Sequence, residues 1–575
     1  MSSLPPSSAA IDLRSVEESL AQENGAVPVV TDQTKSSRVR RGVYSLRGKP
    51  GSYMVRLRVP AGILTPDQLD ALAAIEDEVG WPLGVHLTTR QGIEIHGVLA
   101  ERVIPCLHRL EALGITTFLT GSNSVRAVVA CPLSGTAPGE AFDVTPYALL
   151  VDRHFRNKPL FHQLPRKIKI AFEGCPDTDH VHTLASDIGL RAVNRNGTKG
   201  FRVTLGGGLG AQPKVALPYL EFLAATNLLL ALESILRAFN AHGNRENRAR
   251  SRLKWLLEDR GLEWFRAEVE KERHLLEEQG GVPLPALPSI PESKVPPNAP
   301  TETAAPASDP AAYAFWNETN VRPHKKSGLV TVTIRVPEAD LRPAELRAVA
   351  AIARRFAGGI RLTIEQDIVL RHVRGTALPL LYAALVEAGL AANCADHLAD
   401  VTRCSGADGC LSAITYSRGA AQDITRTLGQ DLIADPVLRP LRIRVSGCQN
   451  ACSHHHAADI GLFGLSKTVH GRPVPHYALL LGGAAQGGVS GLRAGEVPAR
   501  NVGAAVREAL LFYRAERQEE EPFADFVRRV TPASFVQRLA PLAAVPPPEE
   551  APDFYRDLSA DDAFKVTAKR GECAA

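Results

Sequence analysis

The chain has 575 residues, 45% of them hydrophobic and 22% charged, with a formal net charge of +4. That length accommodates several domains of about 100–200 residues, and so small a net charge on so long a chain argues against a nucleic-acid binder. Nine cysteines are too sparse for a disulfide scaffold, and no stretch approaches about 18 uninterrupted apolar residues, so no membrane span is expected.

Residues 1–42 read as an N-terminal arm without the apolar core of a signal peptide. The expectation is a cytoplasmic protein, where closely spaced cysteines bind metal more often than each other. From 43 to 117 the pattern is strand, turn, a helix opening near Pro66, then an alternating strand. "VRLRVPAGILTPDQLDALAAI", from Val55, recurs from Val332 as "VTIRVPEADLRPAELRAVAAI". Arg58-Val59-Pro60 maps to Arg335-Val336-Pro337, and Pro66 to Pro343.

The echo continues through 118–280. "EGC" ending at Cys175 matches "SGC" ending at Cys448, "ASDIGL" matches "AADIGL", and "LGGG" matches "LGGA". Cys131 falls near the place of Cys410. The stretch 222–275 reads as helical, and 281–311, rich in Pro and Ala, as an extended linker. The second copy spans a half-domain at 312–395 and a larger domain at 396–545, followed by a tail at 546–575 that is flexible or wraps. The fold class is α+β: an internally duplicated module, each copy a ferredoxin-like half-domain plus a larger α/β domain, related by a pseudo-two-fold. "GGGLGAQ" does not clearly open a helix with an acidic residue at dinucleotide-binding distance and reads as a loop near a cofactor.

Four cysteines stand out, Cys404 and Cys410 in "CSGADGC" and Cys448 and Cys452 in "CQNAC". Four thiolates suit a structural zinc or a [4Fe–4S] cluster, and buried free cysteines remain a third reading. Gly406, Gly409 and Gly447 favour tight turns around an inorganic core.

C-x5-C followed by "SGC-x-N-x-C" resembles the signature of the sirohaem- and [4Fe–4S]-containing nitrite and sulfite reductases, with Gln449 where that family has Pro. The likeness covers roughly 43–540, including the two-fold repeat. It implies that Cys404, Cys410, Cys448 and Cys452 hold the cluster and that Cys452 also bridges to the sirohaem iron, with Asn450 among the cofactor contacts. It makes 118–280 the sirohaem and substrate domain and 396–545 the cluster and sirohaem domain. Cys131 and Cys175 become relics. His454, His455 and His456 are read as ordinary side chains rather than ligands.

A small oxyanion needs fixed positive charge and proton donors around it. The resemblance assigns that role to Arg90, Arg126, Lys167 and Lys169, all in the first copy. Arg90 has Glu365 as its repeat partner, so its charge is not part of the duplicated scaffold. Arg166, Arg248, Arg250 and Lys254 are weaker candidates to pair with sirohaem carboxylates. The second Lys of "RKIK" is typical of the sulfite reductases of this family, so sulfite-to-sulfide reduction is expected, with nitrite-to-ammonium, or both, as the alternative. Electrons are expected from a ferredoxin or a separate flavoprotein. Two rivals are a cobalamin-pathway monooxygenase of the same fold and a zinc-stabilised binding module without catalysis.

Overall fold

The computed structural model describes residues 13–23, 32–290, 295, 309–484, 488–569 and 571–572. Most of the expected linker, and residues 485–487 just after the "LGGA" repeat, lie outside the described residues.

Each half-domain is a five-stranded sheet whose last strand comes from the other copy. In the first, Val43–Ser45, Ser52–Leu57, Gly92–Leu99 and Val85–Thr88 pair in that order, and Asp340–Leu341 closes the edge beside Val85–Thr88. In the second, Val321–Pro323, Leu329–Ile334, Ile368–Arg374 and Gly359–Leu362 are closed by Ile63–Leu64. The exchanged segments follow the matching Val-Pro turns, where Ala61 and Glu338 take left-handed φ values of 54° and 59°. Pro66 and Pro343 sit in the first turn of helices Pro66–Val79 and Pro343–Phe356, where a missing N–H costs nothing. Both helices bury their apolar faces in one core shared by the two sheets.

The larger domains also match. Strands Val129–Ala130, Ile170–Glu173 and Ile188–Arg195 run parallel, then Thr198–Leu205 and Leu217–Ala224 turn antiparallel. The second copy repeats this with Thr402–Arg403, Ile443–Ser446, Ile460–Val469, Arg472–Leu481 and Leu492–Pro498. The inner parallel strands are buried throughout, as strands covered on both faces must be.

The pseudo-two-fold axis has visible markers. His182 and His454, both left-handed residues opening a short 3-10 turn, meet Nδ1 to Nδ1 at 3.0 Å. Gln91 donates to Ala130 O and, across the axis, to Leu362 O; Gln366 donates to Leu87 O and accepts from Arg403 N.

Three readings change. Ala130 pairs with Phe172 and Arg403 with Val445, so Cys131 occupies the place of Cys404, not Cys410. Residues 222–224 close a strand, and helices begin at Leu228. The first arm contains helix Arg14–Glu23, whose side packs Val16 and Leu20 into the shared core. The tail wraps: Lys569 N donates to Leu411 O, and the Glu572 carboxylate pairs with buried Arg38 at 2.9 Å. Among the described residues, no helix is long and apolar enough to cross a membrane.

Candidate active site

The cysteine loops grow from the ends of two parallel strands. Cys404 directly follows Thr402–Arg403, and its N–H donates to Val445 O at 3.2 Å. Cys448 follows Ile443–Ser446 after one glycine. That glycine is required, because a Cβ on Gly447 would lie 2.7 Å from Thr415 O. Gly447 N donates to Cys404 Sγ at 3.2 Å. Cys410 ends a tight turn begun at Gly406, whose φ of +56° and contact with Ser417 exclude a side chain.

The four thiols share one neighbourhood without crowding one point. Burial, then the nearby Cys452 and Cys404, pushes the Cys448 thiol up to about 12. Yet among the described residues the four do not bring three sulfurs within 4.8 Å of one another. A tetrahedral zinc at about 2.3 Å from each sulfur would draw them to about 3.8 Å apart. A [4Fe–4S] cluster, wider than a single ion, is compatible with that spread. Cys452 is the exposed member. With Asn450 and Cys410 it lines a cavity of about 620 Å³, a volume in the usual range for cofactors, about 300–1,000 Å³.

Of the four expected anion-binding cations, Lys167 lines this cavity, while Arg90, Arg126 and Lys169 lie behind its wall, close enough to act on one another's charge. Arg166 also lines the cavity, and it donates to Asn123 Oδ1 at 3.1 Å. Lys169, two residues along an extended segment, lies close enough to Cys452 to feel its charge. Arg90 sits in the turn between Val85–Thr88 and Gly92–Leu99, and its guanidinium donates to Ala127 O at 2.5 Å. Arg126 is buried and donates to Thr120 O and Ser122 O of its own loop. Arg58 fixes that loop: it donates to Leu119 O and Val125 O and pairs with buried Asp152 at 2.7 Å.

These charges repel one another in poor solvent. Burial, then Arg126, Lys169, Arg252 and Arg166, hold Lys167 well below the ordinary lysine value. Lys169 falls to about 7, through burial first and then Arg90 and Arg252. Arg90 falls to about 9, through burial and then Arg126. Neither lysine has a carboxylate ion-pair partner among the described residues. A pocket wall of this kind stabilises whatever anion enters it.

The cofactor-carboxylate candidates divide. Arg248 and Arg250 line the cavity, but Arg250 also pairs with Asp259 at 2.5 Å and stacks on Trp255. Lys254 donates to the carbonyls of Gly208, Leu209 and Gln212, so it shapes the glycine-rich loop that borders the cavity. Arg252 escaped the sequence reading. It pairs with Asp187 at 2.8 Å, and the same carboxylate accepts from Lys169 N at 2.8 Å, which locks the lysine segment in place. The available signal was its place between Arg250 and Lys254, with Asp187 in the duplicated "DIGL". His454 meets His182 at the axis, and His455 bonds Ser446 and His456.

The comparisons agree with this geometry. Residues 121–275 and 394–543 match the domain family described as "Nitrite and sulphite reductase 4Fe-4S domain". Residues 46–113 and 322–388 match "Nitrite/Sulfite reductase ferredoxin-like half domain". The chain is 30% identical over 449 residues to a protein named ferredoxin–nitrite reductase from Synechococcus elongatus, covering 77% of this chain and 82% of that one. It is 31% identical over 445 residues to a chloroplastic ferredoxin–nitrite reductase of Zea mays, covering 75% and 73%. The solved Mycobacterium tuberculosis NirA protein superposes with a TM-score of 0.75 at 24% identity, covering 91% of this chain and 95% of that one, and so shares the fold.

Proposed function

Because the chain belongs to the nitrite and sulphite reductase family, and is thereby an oxidoreductase using sirohaem and a [4Fe–4S] cluster on a small oxyanion, we propose that it reduces nitrite to ammonium with electrons from a ferredoxin-type protein. One observation carries the choice of anion: the relatives matched over about three quarters of the chain are named ferredoxin–nitrite reductases.

In this reading Cys404, Cys410, Cys448 and Cys452 would hold the cluster, and Cys452, at the cavity wall, would stand nearest the sirohaem. When bound, the pair would supply electrons one at a time to the anion. The chain's own residues do the rest. Lys167 and Lys169 present ammonium groups to the anion; each neutralises charge and carries a proton that the departing oxygens require. Arg90 and Arg126, tied to backbone carbonyls, add fixed positive potential at no cost of reorganisation during turnover. Arg166 and Arg248 are placed to meet cofactor carboxylates, and Arg252 holds the Lys169 segment through Asp187.

A second reading, sulfite to sulfide, rests on Lys169 itself. Sulfite carries more negative charge than nitrite as pH rises, and a second ammonium beside Lys167 compensates it. The deciding experiment measures kcat/KM for both anions on purified holoprotein, with a chemical reductant and then with reduced ferredoxin. Nitrite preferred with both donors is the expected result. A clear preference for sulfite establishes the second reading, and turnover of neither anion by protein with an intact sirohaem spectrum overturns both.

A further inference from the structure

The two larger domains superpose in register at the ends of their first two strands. Cys131 N donates to Phe172 O at 2.9 Å just as Cys404 N donates to Val445 O. Glu173, Gly174 and Cys175 then occupy the places of Ser446, Gly447 and Cys448. The first copy thus has a counterpart of the cluster site that keeps two of its cysteines, with a carboxylate where the second copy has a hydroxyl.

This counterpart is filled with donor groups. Cys131 Sγ lies 3.4 Å from His180 Nδ1, and His180 Nδ1 lies 3.3 Å from Glu173 Oε2. The donor atoms of Cys131, Glu173 and His180 all fall within 4.8 Å of one another. Cys175 stands nearby, and its thiol is pushed up by Cys131 and by burial. In a tetrahedral zinc site, with bonds of about 2.3 Å to sulfur and 2.0–2.1 Å to nitrogen and oxygen, neighbouring donors lie about 3.5 Å (S to N) and 3.3 Å (N to O) apart. The observed separations match both.

The surroundings hold these donors still. The fully buried Glu173 carboxylate accepts from Cys175 N at 3.0 Å and His180 N at 2.7 Å, the outer bonds that orient a ligating carboxylate. Asp179 caps the loop by accepting from Thr183 N and Thr183 Oγ1, which fixes the residue next to His180. Arg371 of the second copy donates to Pro132 O at 2.5 Å and Ser134 O at 2.7 Å, clamping the chain beyond Cys131. His180 is 29% exposed and gives an ion its way in.

We propose that this site binds one zinc-type divalent ion through Cys131, Glu173 and His180. One thiolate sulfur with one imidazole nitrogen and one carboxylate oxygen favours zinc over harder cations. Three protein donors leave the fourth tetrahedral position to a water. It would fasten the strand end at Glu173, and with it the segment bearing Lys167 and Lys169.

The test uses anaerobically purified, full-length holoprotein incubated with Zn²⁺ and desalted. Elemental analysis should find one zinc per chain beyond the iron of the two centres, and X-ray absorption at the zinc edge should show a mixed sulfur and nitrogen/oxygen shell. His180→Ala, at a partly exposed position that folding tolerates, should lower zinc retention at least tenfold while iron content and the sirohaem spectrum stay at wild-type values. Cys131→Ser should do the same. Zinc below about a tenth of an equivalent in wild type overturns the proposal. So does zinc retained equally by both variants, or a Cys131–Cys175 disulfide in place of the metal.

Discussion

Lys169 makes anion binding depend on pH in a direction that can be worked out. Its ammonium sits at about 7 against an ordinary value of 10.5, because burial and then Arg90 and Arg252 disfavour the charge. An anion bound about 4 Å away, at an effective dielectric near 20, returns about 4 kcal/mol to the charged form. At about 1.4 kcal/mol per unit, that lifts the bound-state value by about 3 units, back towards the ordinary one. The group is charged in both states below about pH 7, so affinity is full there. Above that, binding must take up a proton, and Kd rises by up to about tenfold per pH unit until the bound-state value is reached. Sirohaem carboxylates add negative charge nearby and narrow this window from its lower end. The measurement is an optical titration of oxidised holoprotein with nitrite from roughly pH 6.5 to 9.5, a range over which nitrite stays a monoanion. Lys169→Arg should move the onset of the fall up to about pH 9, where the neighbouring Arg90 guanidinium also loses its charge. Lys169→Met should bind weakly at every pH. A flat wild-type profile, or an undiminished slope in Lys169→Met, refutes the reasoning.

Cys452→Ser should uncouple the two centres or prevent their assembly, because a hydroxyl is a poor ligand for iron–sulfur chemistry; wild-type absorption in that variant would remove Cys452 from its role. Lys167→Ala should keep the sirohaem spectrum and lower kcat by about 10²–10³, the usual effect of losing one oxyanion donor, and unchanged turnover would place it outside the site. Lys169→Asn should shift the ratio of kcat/KM for nitrite over sulfite by about tenfold or more in favour of nitrite, since about 1.4 kcal/mol gives a factor of ten; equal losses would make it a general cation. Asp152→Asn leaves the buried Arg58 charge uncompensated and should cost about 3–5 kcal/mol in urea denaturation, against less than about 1 if the pair were incidental.

The duplication was legible because its markers fix backbone shape. Pro60 and Pro337, Pro66 and Pro343, and the two "DIGL" runs set turns and strand starts that survive divergence at other positions. The four cysteines were legible for the same reason, since glycines must flank them for the loops to close. The exchanged edge strands were not. Ile63–Leu64 and Asp340–Leu341 are two residues each, too short for any periodicity, and their partners lie in the other copy. The register of Cys131 was also hidden, because the loops before it differ in length between copies and only the strand pairing aligns them. Residues 222–224 read as helix because strand Leu217–Ala224 runs with little break into the apolar helix that starts at Leu228. Arg252 looked like another charge on a solvated face until folding brought Asp187 to it across 65 positions.

The same comparison of copies shows why the anion should choose one side of the axis. Lys169 and Arg442 are equivalent, each with its N–H on the Asp of "DIGL" and its carbonyl accepting from the following Ile. In the second copy Arg442 is paired with Asp396 at 2.6 Å, and the adjacent Arg444 with Glu365, the repeat partner of Arg90. Its cations are therefore compensated within the protein. In the first copy Arg90 replaces that carboxylate, and no acid ion-pairs with Lys169 among the described residues. One substitution at this position changes the local charge by two units. Duplication supplied two similar cavity walls, and this asymmetry leaves one neutral behind the cysteine loops and the other positive, facing the space into which Cys452 opens.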